Sequence, residues 1–302
     1  MIDIIIVNWN TGKDLNKCLS SLLSFNCDLL KNIIVVDNNS NDKSFDISII
    51  SKKIILIQSG SNLGFAKGCN LGAKYSTANF ILFLNPDTLV NPVILQCCAE
   101  VFANLKPKLG ILGVKIIDEN GLVSRSCSRF PNMSKMILQI IGIDKFLKNL
   151  SIRMSDWDHL SDKVVDQVIG AFFMVPSKLF KDLNGFDENF FMYYEEVDFS
   201  LRAKKLGYIS YYLSTVSIFH EGGGSSKKVK SSRIFYTSRS RILYAKKHFN
   251  YIQYLLIIFF TLFIEPITRI LFSFFKFNFS DCSSIFLAYY NLYFHYLKKS
   301  KF

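Results

Sequence analysis

The sequence predicts an α/β fold with a mostly parallel, doubly wound sheet, flanking helices and a helical, membrane-associated tail. Three observations point there. Short β-branched apolar runs alternate with segments of helical period over the first 117 residues, as successive βαβ units require. Polar turn clusters follow several of these runs on their carboxyl side, where such sheets bind ligands. The charge is also unevenly divided. Residues 1–224 carry a net +1, whereas residues 225–302 carry +11 of the total +12. At 302 residues the chain can bury one large core or two modest ones.

Residues 2–7 (IDIIIV) read as a buried strand, with Asp3 inside it. No basic stretch and small-residue cleavage site accompany this run, so no signal peptide is expected. Residues 13–25 are apolar at Leu15, Cys18, Leu19, Leu22 and Leu23, a helical period. Strands follow at 32–36, closed by the DNNS turn at 37–40, and at 54–58. The segment 61–76 (SNLGFAKGCNLGAKYS) reads as a loop feeding a helix, and 80–84 (FILFL) as a fourth strand. Asn91-Pro92 marks a helix start, because Asn can cap and Pro loses nothing in a first turn. Strand character returns at 110–117.

Residues 125–150 alternate basic and apolar stretches, as in a partly mobile amphipathic excursion. Residues 167–175 resume as strand. A short helix, a turn and a helix over 195–206 come next. Short strands are expected at 208–212 and 216–219, ending at His220. Gly222–Ser226 is a break, dividing a catalytic domain over 1–226 from a tail over 227–302. No internal repeat is evident. Seven cysteines lie at scattered positions without metal spacing, which fits buried thiols in a reducing compartment.

The chemistry concentrates in carboxylates. Asp87 stands in FLNPDT at the mouth of a buried strand, where a hard oxygen ligand suits Mg²⁺ or Mn²⁺. Asn85 can offer only a neutral oxygen. Glu195, Glu196 and Asp198 open the 195–206 helix. Glu195 and Asp198 share a face, and Glu196 points about a quarter turn away. One carboxylate can take a proton while another orients an acceptor or ties the helix down. His220, at a strand end beside three glycines, can ligate a metal or donate to phosphate. Asp37 can accept from a ribose hydroxyl or a base N–H. Lys67 and Arg129 are candidates for phosphate or acceptor contact.

Six ordered blocks carry a resemblance: VNWNTGKDLNKCLSSLL, IIVVDNNSNDKS, SNLGFAKGCNLG, ILFLNPDT, the run from GAFFMVPSKLF to LRAKKLGY, and IFHEGGGSS. Together they resemble the inverting glycosyltransferases of family 2 with the GT-A fold, within them the bacterial rhamnosyltransferase-like branch that builds O-antigen. The resemblance covers about residues 2–226. It implies that Asp37, Asn39, Asn62, Gly64, Lys67, Asn85 and Arg129 serve the nucleotide sugar. It implies that Asp87 and His220 hold the metal, and that Glu196 is the base, with Glu195 and Asp198 beside it. Two departures stand out: Asn85 replaces the first acid of the DxD element, and Glu196 replaces a more usual Asp. The expected donor is dTDP-L-rhamnose, with UDP-hexoses or UDP-galactofuranose as rivals. The expected acceptor is a polyprenyl-diphosphate-linked glycan at the inner face of the bacterial cytoplasmic membrane. A nucleotidyltransferase on a similar sheet would need a Gly-rich basic loop near the N-terminus, which VNWNTGKD lacks.

The tail joins basic residues to the apolar run YLLIIFFTLFI (254–264), which favours an anionic membrane surface over nucleic acid. That run is too short to span, and Glu265-Pro266 is expected to break it. A second stretch at 284–297 is also short. Helices lying among lipid headgroups are the expectation, with a helical subdomain packed on protein as its rival.

Overall fold

The computed structural model describes residues 1–24, 27–44, 51–91, 93–105, 108–221 and 230–299. The chain divides into two compact units. One comprises Met1–Phe130, Trp157–Phe191 and Glu195–Ser225; the other comprises Pro131–Asp156, Met192–Tyr194 and Ser226–Phe302.

The first unit is built on a ten-stranded sheet among the described residues. It begins with β1 (Ile2–Asn8), α1 (Asp14–Leu23), β2 (Leu30–Asp37), β3 (Ile54–Gln58), α2 (Phe65–Ala73) and β4 (Phe80–Leu84). These four strands are parallel, in the order β3-β2-β1-β4. Strand β1 lies between two neighbours and is buried along its whole length, so its sequence is almost continuously apolar. Asp3 is the exception. It is tolerated because its carboxylate accepts from Asn32 N and Nδ2, Ser76 Oγ, Thr77 N and Ala78 N at 2.8–3.0 Å. Helix α2 lies close on β1. A Cβ added at Gly72 would sit 2.6 Å from Ile5 Cγ2.

Beyond β4 the expected parallel order fails. Next in the chain are β5 (Thr88–Leu89), α3 (Val93–Asn104), β6 (Leu109–Ile117), β7 (Val123–Ser124) and β8 (Cys127–Ser128). Helix α4 (Met133–Ile141) belongs to the second unit, and β9 (Lys163–Val165), β10 (Gln167–Val168) and β11 (Phe172–Pro176) return to the first. Then come α5 (Ser177–Asp182), α6 (Glu195–Lys205) and β12 (Ile209–His220). Strand β11 lies antiparallel between β4 and β6, while β12 pairs with β6 in parallel and with β5 and β9 in antiparallel. The sheet is therefore mixed and curls toward a half-barrel, not the mostly parallel, doubly wound sheet expected. Direction was not legible because a strand buried on both faces reads as one apolar run whichever way it points.

The two short strands expected before His220 are one twelve-residue strand, β12. Its pairing with β6 shifts between Leu213 and Ser217. The polar residues there satisfy that irregularity: Asp162 Oδ1 accepts from Ser214 N at 2.7 Å and Ser214 Oγ at 2.6 Å. Pro92 and the Gly222–Ser226 break lie outside the described residues. Asn91 Oδ1 does accept from Val93 N at 3.0 Å, at the start of α3.

The second unit is helical: α4, α7 (Lys230–His248), α8 (Tyr251–Phe275) and α9 (Ser280–Lys299). Here the expected short, broken helices are corrected. Asn250 separates α7 from α8, and with Gln253, which lies inside α8, it forms the reciprocal capping box that starts that helix. Glu265-Pro266 does not end α8. A π turn over Phe260–Ile264 precedes it, and Pro266 opens the segment that resumes as α-helix. A widened turn accommodates the missing proline N–H without ending the helix. Glu265 faces inward, where Arg241 donates to it at 2.6 and 3.2 Å and Arg269 at 2.8 and 3.1 Å. Ile234, Ile242, Leu262, Ile285, Tyr289 and Leu292 form the apolar core of this unit.

Candidate functional site

Three polar groups meet where β4 ends and β12 ends. The chain leaves β4 at Leu84, and Asn85 N donates to Ala171 O at 3.1 Å. His220 pairs with Thr88 across the β12–β5 ladder, and Glu221 N donates to Asp87 O at 3.2 Å. These backbone constraints bring His220 Nε2 to 3.1 Å from Asp87 Oδ1 and 3.4 Å from Asn85 Nδ2. All three side chains are half-buried.

The donor set suits a hard divalent cation. It offers one carboxylate, one imidazole nitrogen and one amide oxygen. No group of three or more His, Cys, Asp or Glu that could close a metal cage occurs among the described residues. Such a partial set fits Mg²⁺ or Mn²⁺ that takes further ligands from a diphosphate.

A second network forms at the ends of β1 and β2. Asn8 Nδ2 donates to Asp37 Oδ1 at 2.8 Å and lies 3.1 and 3.0 Å from Ser40 Oγ and Ser44 Oγ. Ser40 donates to Asp37 through Oγ at 2.6 Å and through N at 3.1 Å. Asp37 is thus almost fully buried and organises the turn that follows it. Asn39 stands exposed at the tip of that turn with φ of 63°. Asn8, Ser40 and Ser44 were missed by sequence reasoning, although all three lie inside the VNWNTGKDLNKCLSSLL and IIVVDNNSNDKS blocks.

Hydrogen bonds link this turn to α2 and onward to the segment before α6. Asn38 Nδ2 donates to Gly64 O at 2.9 Å. Asn62 Oδ1 accepts from Gly64 N at 3.0 Å, and Phe65 N donates to Phe191 O at 2.7 Å. Gly64 is required at this position. Its φ is 81°, and an added Cβ would lie 2.3 Å from Phe191 O. Lys67 is exposed on α2, and Arg129 is half-buried just after β8.

The three carboxylates of α6 have different surroundings. Asp198 is fully buried and accepts from Arg202 Nε at 2.7 Å, while the same guanidinium donates to Leu183 O and Gly185 O at 2.6 and 2.8 Å. Glu195 is buried, and desolvation followed by the neighbouring Glu196 charge holds its pKa well above the usual carboxylate range. Glu196 is half-buried. The two residues before the helix, Tyr193 and Tyr194, have φ of 68° and 72°, unusual for side-chain-bearing residues. Burial pushes the Cys18 and Cys127 thiols up to about 12, away from thiolate chemistry.

Comparison with known proteins shows what the chain is similar to. The chain is 24% identical over 263 residues to the N-acetylglucosaminyl-diphospho-decaprenol L-rhamnosyltransferase of Mycobacterium tuberculosis, covering 82% of this chain and 85% of that protein. It is 26% identical over 265 residues to rhamnosyltransferase WbbL of Escherichia coli K12, covering 80% and 95%. Among solved structures, the mannosyltransferase PcManGT from Pyrobaculum calidifontis, in complex with GDP-Man and Mn²⁺, superposes with a TM-score of 0.53 at 12% identity, over 95% of this chain and 73% of that one. Residues 3–176 match the model of glycosyl transferase family 2, and the chain belongs to that family, with its GT-A fold.

Proposed function

We propose that the chain moves a sugar from a nucleoside diphosphate to a hydroxyl of a lipid-linked glycan, with inversion at the anomeric carbon. The observation that carries this reading is the convergence of Asp87, His220 and Asn85 at the sheet edge. The hydrogen-bonded path from Asp37 through Gly64 to Phe191 supports it, ending four residues before Glu195.

In this reading the turn organised by Asp37 receives the nucleoside, with Asn39, Asn62 and Lys67 around it. Arg129 is assigned to phosphate or acceptor. Asp87, His220 and Asn85 would hold the divalent cation, whose charge would stabilise the departing diphosphate. Glu196 takes the acceptor hydroxyl proton as the acceptor oxygen bonds to the anomeric carbon. The carbon–oxygen bond to phosphate breaks, and its electron pair leaves with the diphosphate. Burial and the neighbouring Glu196 charge favour the neutral form of Glu195, which can donate a hydrogen bond. Asp198 and Arg202 fix the helix that carries both glutamates.

The donor we infer is dTDP-L-rhamnose and the acceptor a polyprenyl-diphosphate glycan, as in O-antigen synthesis. Both rest on the names of relatives about a quarter identical to this chain. Glu196→Gln tests the mechanism. Transfer should fall by about 10²–10⁴-fold while donor binding persists. Near-normal turnover would pass the role to another carboxylate. Release of pyrophosphate instead of nucleoside diphosphate would mark a nucleotidyltransferase.

A further inference from the structure

The helical unit has an apolar core, yet it also leaves a broad apolar surface outside, unlike a water-soluble bundle. On α8 the exposed positions are all apolar or aromatic, and Leu255, Phe259, Phe263, Ile267, Leu271 and Phe275 recur among them at four-residue steps. A straight α-helix would carry such a series around its axis, by about 40° per step. The π turn at Phe260–Ile264 adds to the turn and takes up part of that drift. The interior side of the same helix holds Thr261, Glu265 and Ser273 beside Ile257 and Leu262. Helix α9 continues the exposed surface with Phe286, Leu287, Tyr290, Phe294 and Leu297.

Polarity reverses again on α7. Its exposed residues are Lys230, Arg233, Lys246 and Lys247, cations without exception. In water the exposed apolar face would gain nothing from folding, and the buried Arg241–Glu265 pair, joined by the partly exposed Arg269, would give little in return. In lipid the same arrangement is favourable: apolar groups face acyl chains, and ionised groups pair inside the protein. Helix α8 has 25 residues, about 37 Å, enough to cross a hydrocarbon core of about 30 Å. Yet α7 packs beside α8 and α9, and its exposed cations could not follow them across. The arrangement that satisfies both faces lies along one leaflet.

We propose that α8 and α9 embed side-on in a single leaflet, their apolar faces at the acyl boundary, with the cationic positions of α7 toward anionic headgroups and water. A second copy of the chain is the rival occupant. The stripe offers it no charged or hydrogen-bonding side chain on α8 to set a register, whereas a bilayer needs none. The proposal deepens the reading of a lipid-linked acceptor, and its test does not depend on turnover.

The full chain is mixed with vesicles of phosphatidylcholine and phosphatidylglycerol and floated with and without molar sodium chloride. Single variants Phe263→Trp, Leu271→Trp and Lys246→Trp are then read with phospholipids brominated along the acyl chain. The expected result is flotation that largely survives salt. Quenching beyond the parent's should appear at 263 and 271 and not at 246. The exposed double variant Phe263→Glu with Ile267→Glu should lose at least about tenfold in partitioning, while nucleotide-sugar binding stays normal. Three results would overturn the proposal: complete release by salt, equal quenching at 246, or no flotation together with a concentration-dependent dimer that shields 263 and 271. Failure of nucleotide-sugar binding in the parent would instead count against the enzymatic reading.

Discussion

Glu195 and Glu196 are neighbours in sequence, yet their surroundings give them different chemistry. Burial raises the Glu195 pKa, so the native state binds a proton more tightly there than the unfolded chain does. Its contribution to stability is therefore complete below the ordinary carboxyl range and is lost as pH rises through the raised native value. The amide in Glu195→Gln cannot ionise. The melting temperature of that variant should gain on the parent's as pH climbs from 5 to 9, in roughly half-unit steps of a thermal-denaturation series. A constant gap across the range would show that Glu195 is ionised in the folded protein. At the proposed metal position, Asp87→Ala should lose manganese-stimulated donor binding. Its transfer rate should drop by at least about a hundredfold, matching the parent in EDTA. Full activity of either would remove the cation from the reaction.

Among elements, α6 and the α2 entry have the clearest structural debts. The Asp198–Arg202 pair ties α6 to the backbone at Leu183 and Gly185. Asp198→Ala leaves the guanidinium without its carboxylate and should cost about 3–5 kcal/mol in denaturant unfolding. A stable Asp198 variant that lacks transfer would point to chemistry at Asp198 rather than anchorage. At the start of α2, Gly64→Ala meets both a left-handed backbone and Phe191 O. It should destabilise by at least about 1–2 kcal/mol from conformation alone. It should also weaken nucleotide binding, as calorimetry with the free nucleoside diphosphate would reveal.

At the scale of the whole chain, charge and hydropathy act together. Nearly all the cationic excess belongs to residues 225–302, and so does the uncovered apolar surface of α8 and α9. If these hold the enzyme on a leaflet, the penalty for losing them depends on where the acceptor is. The Phe263→Glu, Ile267→Glu variant should turn over a short-chain, water-soluble acceptor at the parent's rate. On the same glycan carried by a polyprenyl chain in vesicles, it should be at least about tenfold slower. Equal loss on both acceptors would place the damage in the catalytic unit.

The sequence by itself determined the longer strands and helices of the first unit, among them β1 to β4, β6, α1 and α6, because burial on both faces and helical periodicity are written in local composition. It also determined the family, through blocks such as NLGFAKG and FLNPDT whose order needs no coordinates. It marked Asp87 and His220, since lone polar groups at the ends of apolar runs are visible in one dimension, while the resemblance singled out Glu196 from its acidic cluster. Only the tertiary structure decided that β11 runs antiparallel between β4 and β6, and that His220 reaches Asp87 across the β12–β5 ladder. It alone distinguished a buried Glu195 and a paired Asp198 from a half-buried Glu196 within one acidic cluster. It also showed Glu265 turned inward and paired with Arg241 and Arg269 where the sequence read a break. Strand direction, pairing partner and local desolvation arise from contacts between residues far apart in the chain, and no local pattern encodes them.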